Sequence, residues 1–335
     1  MKTWAKAACL IAGASLSFAL VAQQPGGTRP GRPRAFAGRC RATGLVGHLD
    51  DDRIHGIGGQ GIPRYDDAMC LIAVAWKAHP RFPLALIANR DESHARPTSP
   101  AGTYADLPGA FGGRDGLQGG SWLMVSSRGR LAAVTNVRQG LTTETAPRSR
   151  GGLVTQFVQD IAPAPDWCAA LAPDAPDYGR FNLLAWDGES LAFATNHPGF
   201  ATCPIAPGVH AMSNGAFDAV WPKGGHATGA LSAWLAQDAA IARTTDDVAS
   251  LEPLLQALAD TAPAPDDALP DTGVGLALER ALSPPFVRNG TYGTRCSTVV
   301  LVEHGRLLFL ERRFGPDAEV TGQTVQLLAL PEGIA

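Results

Sequence analysis

The sequence lacks a hydrophobic run long enough to span a bilayer, and it lacks the spacings of a metal site. Its apolar stretch at residues 7–22 is shorter than the roughly 20 residues that a membrane helix needs. The six cysteines are widely separated, and no pair of them has metal-ligand spacing. We therefore expect no membrane span and no metal. A reducing compartment fits this spacing best, with a disulfide among Cys168, Cys203 and Cys296 left open.

The chain after Met69 also lacks the motifs of several large enzyme classes. It contains no nucleophile elbow, phosphate-binding loop or zinc-protease helix. Residues 56–61 match the glycine pattern of a dinucleotide-binding loop, but no strand precedes them, so we interpret the match as chance. From Met69 onward there are 19 basic and 26 acidic residues. This net charge of −7 gives no reason to expect nucleic acid or an anionic membrane as a partner.

Residues 1–68 form an extension with a composition of its own. Two lysines precede the apolar residues 7–22, as in a secretory signal peptide, and residues 23–68 are rich in Gly, Arg and Pro. We predict that this segment is disordered and that residues 69–335 form a single domain. It is either a propeptide removed before Cys70 or the product of a start assigned too early. We favour the second, because Met69 is the only methionine between Met1 and Met124.

A cysteine directly after a methionine, Met69-Cys70, opens an apolar run that ends at Trp76. If Met69 were the start and were then removed, Cys70 would carry a thiol beside a free α-amino group. The amine has a pKa near 7.7–8.0 and can take the proton of the thiol near neutral pH. One residue would then supply both nucleophile and base. The alternative is that Cys70 is a small buried side chain.

A second feature is the polar cluster Asn89-Arg90-Asp91-Glu92, which directly follows the apolar residues 84–88. Four polar groups at the end of a buried strand need partners, because unpaired charge is costly to bury. They either pair with one another or face a site beside Cys70.

These two motifs and several others occur in an order that resembles the NRDE family, to which the Transport and Golgi organisation 2 proteins of animals belong. The further blocks are Ala95-Arg96-Pro97, Gly113-Arg114-Asp115, Gly119-Gly120-Ser121-Trp122, Thr135-Asn136-Val137-Arg138, Ser149-Arg150-Gly151, Phe181-Asn182-Leu183-Leu184, Ser213-Asn214, Trp221-Pro222-Lys223 and residues 292–298. The resemblance implies the α+β fold of N-terminal-nucleophile hydrolases, a four-layer αββα sandwich of two antiparallel sheets flanked by helices.

The resemblance also implies a catalytic set, which consists of Cys70, Arg90, Asp91, Asn136, Asn214 and Arg295. In it, Asp91 would hold the α-amino group, and the two asparagines would donate to an oxyanion. Asn89, Glu92 and Trp221 are the candidates for substrate binding. Each has a structural alternative, such as a turn asparagine, a buried ion pair or, for Trp221, an aromatic anchor at a strand end.

Hydrophobic periodicity by itself predicts a mixed α and β domain. We expect a first antiparallel sheet of residues 70–76, 83–88, 122–126 and 131–135, and hairpins at 181–195 and 297–312. A further strand is expected at 209–213, and helices at 153–161, 227–242 and 246–260.

The expected function is that of a cysteine amidohydrolase in which Cys70 attacks a linear amide of a small molecule, with no cofactor required. The alternative from another class, also implied by the resemblance, is a non-catalytic carrier of haem or a lipid, with haem as cargo. The protein would be cytoplasmic if translation starts at Met69, and secreted or periplasmic if the signal-like segment is real.

Overall fold

The computed structural model describes residues 69–141, 144–237 and 248–334. The signal-like extension, residues 1–68, lies outside the described residues, and so do the expected end of one helix and start of another between residues 238 and 247. No helix in the described ranges is long and apolar enough to cross a membrane. In the same ranges Cys168 and Cys296 carry free thiols, so neither forms the disulfide that the sequence left open.

The first of two antiparallel sheets contains Cys70. Its strands are β1 (Met69–Trp76), β2 (Leu84–Ser93), β10 (Gly208–Met212), β11 (Tyr292–Glu303), β12 (Arg306–Phe314) and β13 (Val320–Ala329). They lie in the order β10-β1-β2-β11-β12-β13. β1 and β2 are central and almost entirely buried, as their unbroken apolar runs predict.

The second sheet is formed by the seven strands that lie in the chain between β2 and β10. These are β3 (Thr98–Tyr104), β4 (Leu107–Asp115), β5 (Leu123–Ser126), β6 (Arg130–Asn136), β7 (Phe181–Trp186), β8 (Leu191–Thr195) and β9 (Ala201–Pro204), and they lie in chain order across the sheet. Each pairs with the next in sequence. The connection from β6 to β7 is the long one, because it contains the first two helices of the domain.

Helices cover the outer faces of both sheets. They are α1 (Gly151–Gln159), α2 (Ala164–Ala170), α3 (Pro222–Leu235), α4 (Glu252–Leu258) and α5 (Leu276–Ala281), with 3₁₀ turns at Ala175–Asp177, Val248–Leu251 and Asp266–Ala268. Prolines at the first or second position open α2, α3 and α4, where the absent N–H costs nothing.

Three apolar clusters show that the layers are helix, sheet, sheet and helix. One lies between the sheets, with Ile72 and Leu86 facing Leu131 and Leu184. A second packs the outer face of the first sheet against α3 and α4. The third packs the outer face of the second sheet against α1 and α2. The predicted αββα sandwich is therefore confirmed.

The predicted membership of the first sheet was wrong in one respect. Residues 123–126 and 130–136 form β5 and β6, and these belong to the second sheet rather than to the sheet of β1 and β2. Strands buried on both faces give no periodicity that indicates their partners, so hydrophobicity could not assign them. Trp221 does not anchor a strand end either, because it is the residue before α3.

Candidate active site

Cys70 lies at the head of a central strand, facing the space between the sheets. Its Cα is paired with that of Arg90 on β2, so the two side chains are neighbours on one face. The thiol lines a cavity of about 470 Å³ and is 5% exposed. The cavity is walled on the other side by Trp122, by the end of β6 and by residues 144–151.

The alternation of β2 divides the Asn89-Arg90-Asp91-Glu92 cluster between its two faces. Arg90 and Glu92 line the Cys70 cavity. Asn89 points to the helical layer, where its Nδ2 donates to the carbonyl oxygens of Leu258 and Pro285, both at 2.8 Å. Its Oδ1 accepts from the Ser297 hydroxyl. Both ends of the Asn89 side-chain amide are therefore engaged in structural hydrogen bonds.

Arg90 is held beside the thiol by packing more than by pairing. Its guanidinium lies 4.3 Å from the centre of the Trp122 ring and donates to Thr98 Oγ1 at 3.2 Å and to Glu92 Oε2 at 3.5 Å. Trp122 can lie there because residue 113 is glycine, and a Cβ at that position would come within 2.0 Å of the indole. Stacking on the ring orients the cation.

The charged groups of the cavity rim form ion pairs. Arg96 binds Asp115 Oδ2 at 2.6 Å and approaches Glu92 at 3.6 Å. Arg150 approaches Glu144 at 3.5 Å. Burial raises the pKa of Glu92, although the nearby arginine cations oppose that shift. The cavity is thus polar and close to neutral overall.

Asp91 lies on β2 beside the start of β1. Its Cα is paired with that of Met69, directly before Cys70. Thr294 donates to Asp91 Oδ1 at 2.6 Å, but Oδ2 is buried and has no hydrogen-bond partner among the described residues. A buried acceptor left unsatisfied is costly, so this oxygen marks a place where a donor is expected.

Lys223 is a buried cation near Asp91 and Cys70 that the sequence analysis did not identify. It lies in the first turn of α3, is 3% exposed, and makes one long hydrogen bond, 3.4 Å to the Leu282 carbonyl. Its charge acts on both Asp91 and Cys70. The Trp221-Pro222-Lys223 block contained it, but a lysine at a helix start is usually exposed, so no sequence signal pointed inward.

Burial perturbs the pKa values of these three neighbouring groups. It raises the pKa of the Cys70 thiol to about 12, and the negative charge of Asp91 raises this pKa as well. It raises the pKa of Asp91 to about 7 against the opposing pull of Lys223, and it lowers the pKa of Lys223 to about 8. With Met69 attached, burial therefore favours the neutral thiol of Cys70 near pH 7.

The structure brings Asn136 and Asn214 together, and it gives them different tasks. Asn214 Nδ2 donates to the Asn136 Oδ1 at 2.8 Å and to its carbonyl at 3.1 Å. Asn136 lines the Cys70 cavity, whereas Asn214 lies behind it. Asn136 Nδ2 is buried and has no partner in the described part of the chain. Ser213 links this pair to the strand by donating to the Cys70 carbonyl at 2.8 Å.

Arg295 and Trp221, like Asn89, lie apart from this cavity. Arg295 donates through Nη1 to the Ser93 and Arg96 carbonyls, at 2.7 and 3.2 Å, and lines a second cavity. Trp221 packs against the Arg138 guanidinium, 5.5 Å from the ring centre. Neither lines the Cys70 cavity. No group of three or more potential metal ligands occurs in the described ranges.

Two antiparallel sheets packed between helices, with a cysteine at the head of a central strand beside buried polar groups, define a protein of the N-terminal-nucleophile class of folds. Comparison with known proteins specifies it further. The family model for Transport and Golgi organisation 2 matches residues 69–316, and the chain belongs to that family. The predicted resemblance is therefore confirmed.

Curated relatives include Transport and Golgi organisation 2 homologues of Bos taurus, 31% identical over 262 residues, and of Homo sapiens, 30% identical over 260 residues. Both alignments cover 73% of this chain and 92% of the relative. Among solved structures, penicillin V acylase from Agrobacterium tumefaciens is similar, with a TM-score of 0.40 and 10% identity over 78% of this chain and 86% of that one.

Proposed function

We propose that the protein is an N-terminal-nucleophile amidase in which Cys70, freed of Met69, attacks a linear amide of a small molecule. The observation that carries this proposal is a pair of buried, unpartnered atoms on either side of Cys70. Among the described residues, Asp91 Oδ2 has no donor beside the position of the future amine, and Asn136 Nδ2 has no acceptor in the cavity. A free amine and a substrate oxyanion would satisfy them.

Removal of Met69 supplies the base. Asp91 Oδ2 accepts a hydrogen bond from the new α-amino group, and the nearby ammonium of Lys223 favours the ionised form of Asp91. The neutral amine then takes the Sγ proton as the thiol attacks, so the thiol need not ionise in advance. This amine does not exist while the peptide bond from Met69 to Cys70 is intact, because its nitrogen is then an amide.

Acyl transfer follows from the positions of the remaining groups. The Cys70 Sγ forms a bond to the amide carbon, and the oxyanion that develops accepts from Asn136 Nδ2. The protonated α-amine gives its proton to the departing nitrogen as the C–N bond breaks. Water, deprotonated by the same amine, then attacks the thioester and releases the acid and the thiol.

The decisive experiment compares three preparations of the 69–335 domain: one beginning at Cys70, one that retains Met69, and one beginning at residue 70 with Cys70→Ala. Each is incubated with a panel of N-acyl amides, with product release and the mass of an acylated protein as readouts. We expect turnover and a trapped acyl group only in the first. Equal turnover by the form that retains Met69, or by Cys70→Ala, would disprove the mechanism.

Carriage of haem or a lipid is the second proposal, and the cavity supports it less. Among the residues that line the cavity, Cys70 is the only one of a type that ligates haem iron, and burial keeps its thiol neutral. Titration of the same three preparations with haem tests it. Saturable binding lost in Cys70→Ala, without amide turnover in any form, would favour the carrier.

A further inference from the structure

A second cavity lies between the two sheets and shares Trp122 with the Cys70 cavity. It has a volume of about 230 Å³, and the mechanism proposed above does not use it. The first sheet contributes Arg295, Cys296, Glu311 and Arg313, and β3 contributes Thr98 to Pro100. Like the first cavity, it contains a buried polar atom with an unmet hydrogen-bonding need.

That atom is Oε2 of Glu311, on β12. The Glu311 side chain is 1% exposed, and Oε2 has no hydrogen-bond partner among the described residues. Oε1 is used across the sheets, since the Ala101 backbone N–H donates to it at 2.8 Å and Arg313 approaches it at 3.4 Å. The neighbouring Cys296 thiol slightly offsets the rise in the pKa of Glu311 that burial causes, but S–H is a weak donor.

Two guanidinium groups line the same cavity with donors to spare. In the described part of the chain, hydrogen bonds engage Nη1 of Arg295, on the Ser93 and Arg96 carbonyls, and Nη1 of Arg313, on Thr324 and Glu311. Each guanidinium carries five N–H groups in a planar fork that matches a carboxylate. The cavity therefore presents two cations and one unmatched carboxylate oxygen.

We propose that this cavity binds a small zwitterion of the α-amino-acid class, with its carboxylate at Arg295 and Arg313 and its ammonium at Glu311 Oε2. A simple anion would satisfy the arginines but leave Oε2 unpaired beside a second negative charge. A simple cation would satisfy Oε2 but face two guanidinium groups. One molecule that carries both charges matches every unused group, and a small amino acid suits the volume.

Isothermal titration calorimetry at pH 8 tests the proposal with the full chain. The probes are L-alanine, acetate and methylammonium. We expect saturable 1:1 binding of L-alanine, with acetate and methylammonium each at least about tenfold weaker, since each lacks one charge-assisted contact. Equal affinity for acetate and L-alanine, or no saturable heat with L-alanine, would overturn it.

Variants localise the site. Glu311→Gln keeps the shape and removes the charge, and we expect about tenfold weaker L-alanine binding. Arg313→Met, at a less buried position, should weaken L-alanine binding similarly and serves if Glu311→Gln does not fold.

Glu252→Gln is the matched control, because it breaks the Glu252–Arg312 pair, which lies away from this cavity. This variant should bind L-alanine normally. Because the inference does not depend on catalysis, Cys70→Ala should also bind normally, and binding lost there but kept in Glu311→Gln would refute it.

Discussion

The two cavities that share Trp122 each contain a buried cysteine and a buried polar atom without a hydrogen-bond partner among the described residues, yet their cysteines differ in one covalent respect. Cys70 is the second residue of β1 and would acquire its own amine if the chain began there. Cys296 lies inside β11, between two peptide bonds. Burial raises the pKa of both thiols. Reactivity should therefore depend on where the chain begins rather than on the surroundings of the sulfur.

Substitution of Asn136 or Asn214 should produce the largest effect, which is a loss of kcat. On an amide that the substrate panel identifies, Asn136→Ala should lower kcat by about 100-fold or more, because it removes the oxyanion donor. Asn214→Ala should cost only about tenfold, since Asn214 acts by orienting Asn136. Steady-state kinetics measures both. Asn289→Ala, at a surface turn, is the control, and a larger loss in Asn214→Ala than in Asn136→Ala would reverse the assigned roles.

The comparison of the two thiols can be measured without any substrate. Iodoacetamide at pH 7 should label Cys70 about 100-fold faster in a chain that begins at Cys70 than in one that retains Met69. The estimate allows for a thiol pKa that falls from about 12 toward about 8.5 and for the lower nucleophilicity of the more acidic thiol. Peptide mass mapping gives the rates. Cys296 is the internal reference and should react equally slowly in both chains.

Asp91 and Asp115 should contribute to the free energy of unfolding with opposite dependence on pH. The folded-state pKa of Asp91, about 7, lies above the usual value of 3.8, so its contribution to stability falls as the pH rises from about 4 to 7. Asp91→Asn should therefore gain stability relative to the unsubstituted chain over that range. Urea unfolding at a series of pH values measures the difference.

Asp115 is the matched control for this experiment. Burial raises its pKa, but the hydrogen bonds from Arg96 and the Leu117 N–H, together with the charges of Arg96 and Arg90, outweigh burial and hold the pKa below its usual value. Its contribution is present above about pH 4 and is lost as the pH falls through the lowered pKa. Asp115→Asn should therefore lose stability relative to the unsubstituted chain as the pH rises from 3 to 5. The same sign in both variants would contradict the assignment of Asp91.

The smallest effect is expected at the second thiol. Cys296→Ala removes one buried sulfur and should lower the free energy of unfolding by about 1 kcal/mol. The labelling rate of Cys70 should not change, because the mechanism does not use Cys296. A slower reaction of Cys70 in this variant would show that the two cavities are coupled.

Local sequence was sufficient for some elements and insufficient for others. The hairpin of β7 and β8 was predicted because the turn residues Asp187-Gly188 stand between two apolar runs. β3 and β4 were missed because they contain proline and several glycines and have no apolar periodicity. They form because neighbouring strands supply hydrogen-bond partners, a contribution that a window of sequence does not contain.

The candidate site divides in the same way. The order of motifs identified Cys70, Arg90, Glu92 and Asn136, and the structure gathers these four around one cavity. It places Arg295 in the other cavity and Asn89 against the helical layer. The alternation of β2 could have separated Asn89 from Arg90 in advance, since neighbouring strand residues face opposite sides.

The sequence by itself determined the local features: a cysteine after a methionine, a polar cluster at the end of a buried strand, and the apolar runs of the central strands. Only the tertiary structure decided which sheet each strand joined, that Lys223 is buried beside Asp91, and which polar atoms are left unpaired. The physical reason is distance along the chain. Lys223 and Asp91 are separated by more than a hundred residues, and whether a hydrogen-bonding group is satisfied depends on all the elements that pack around it.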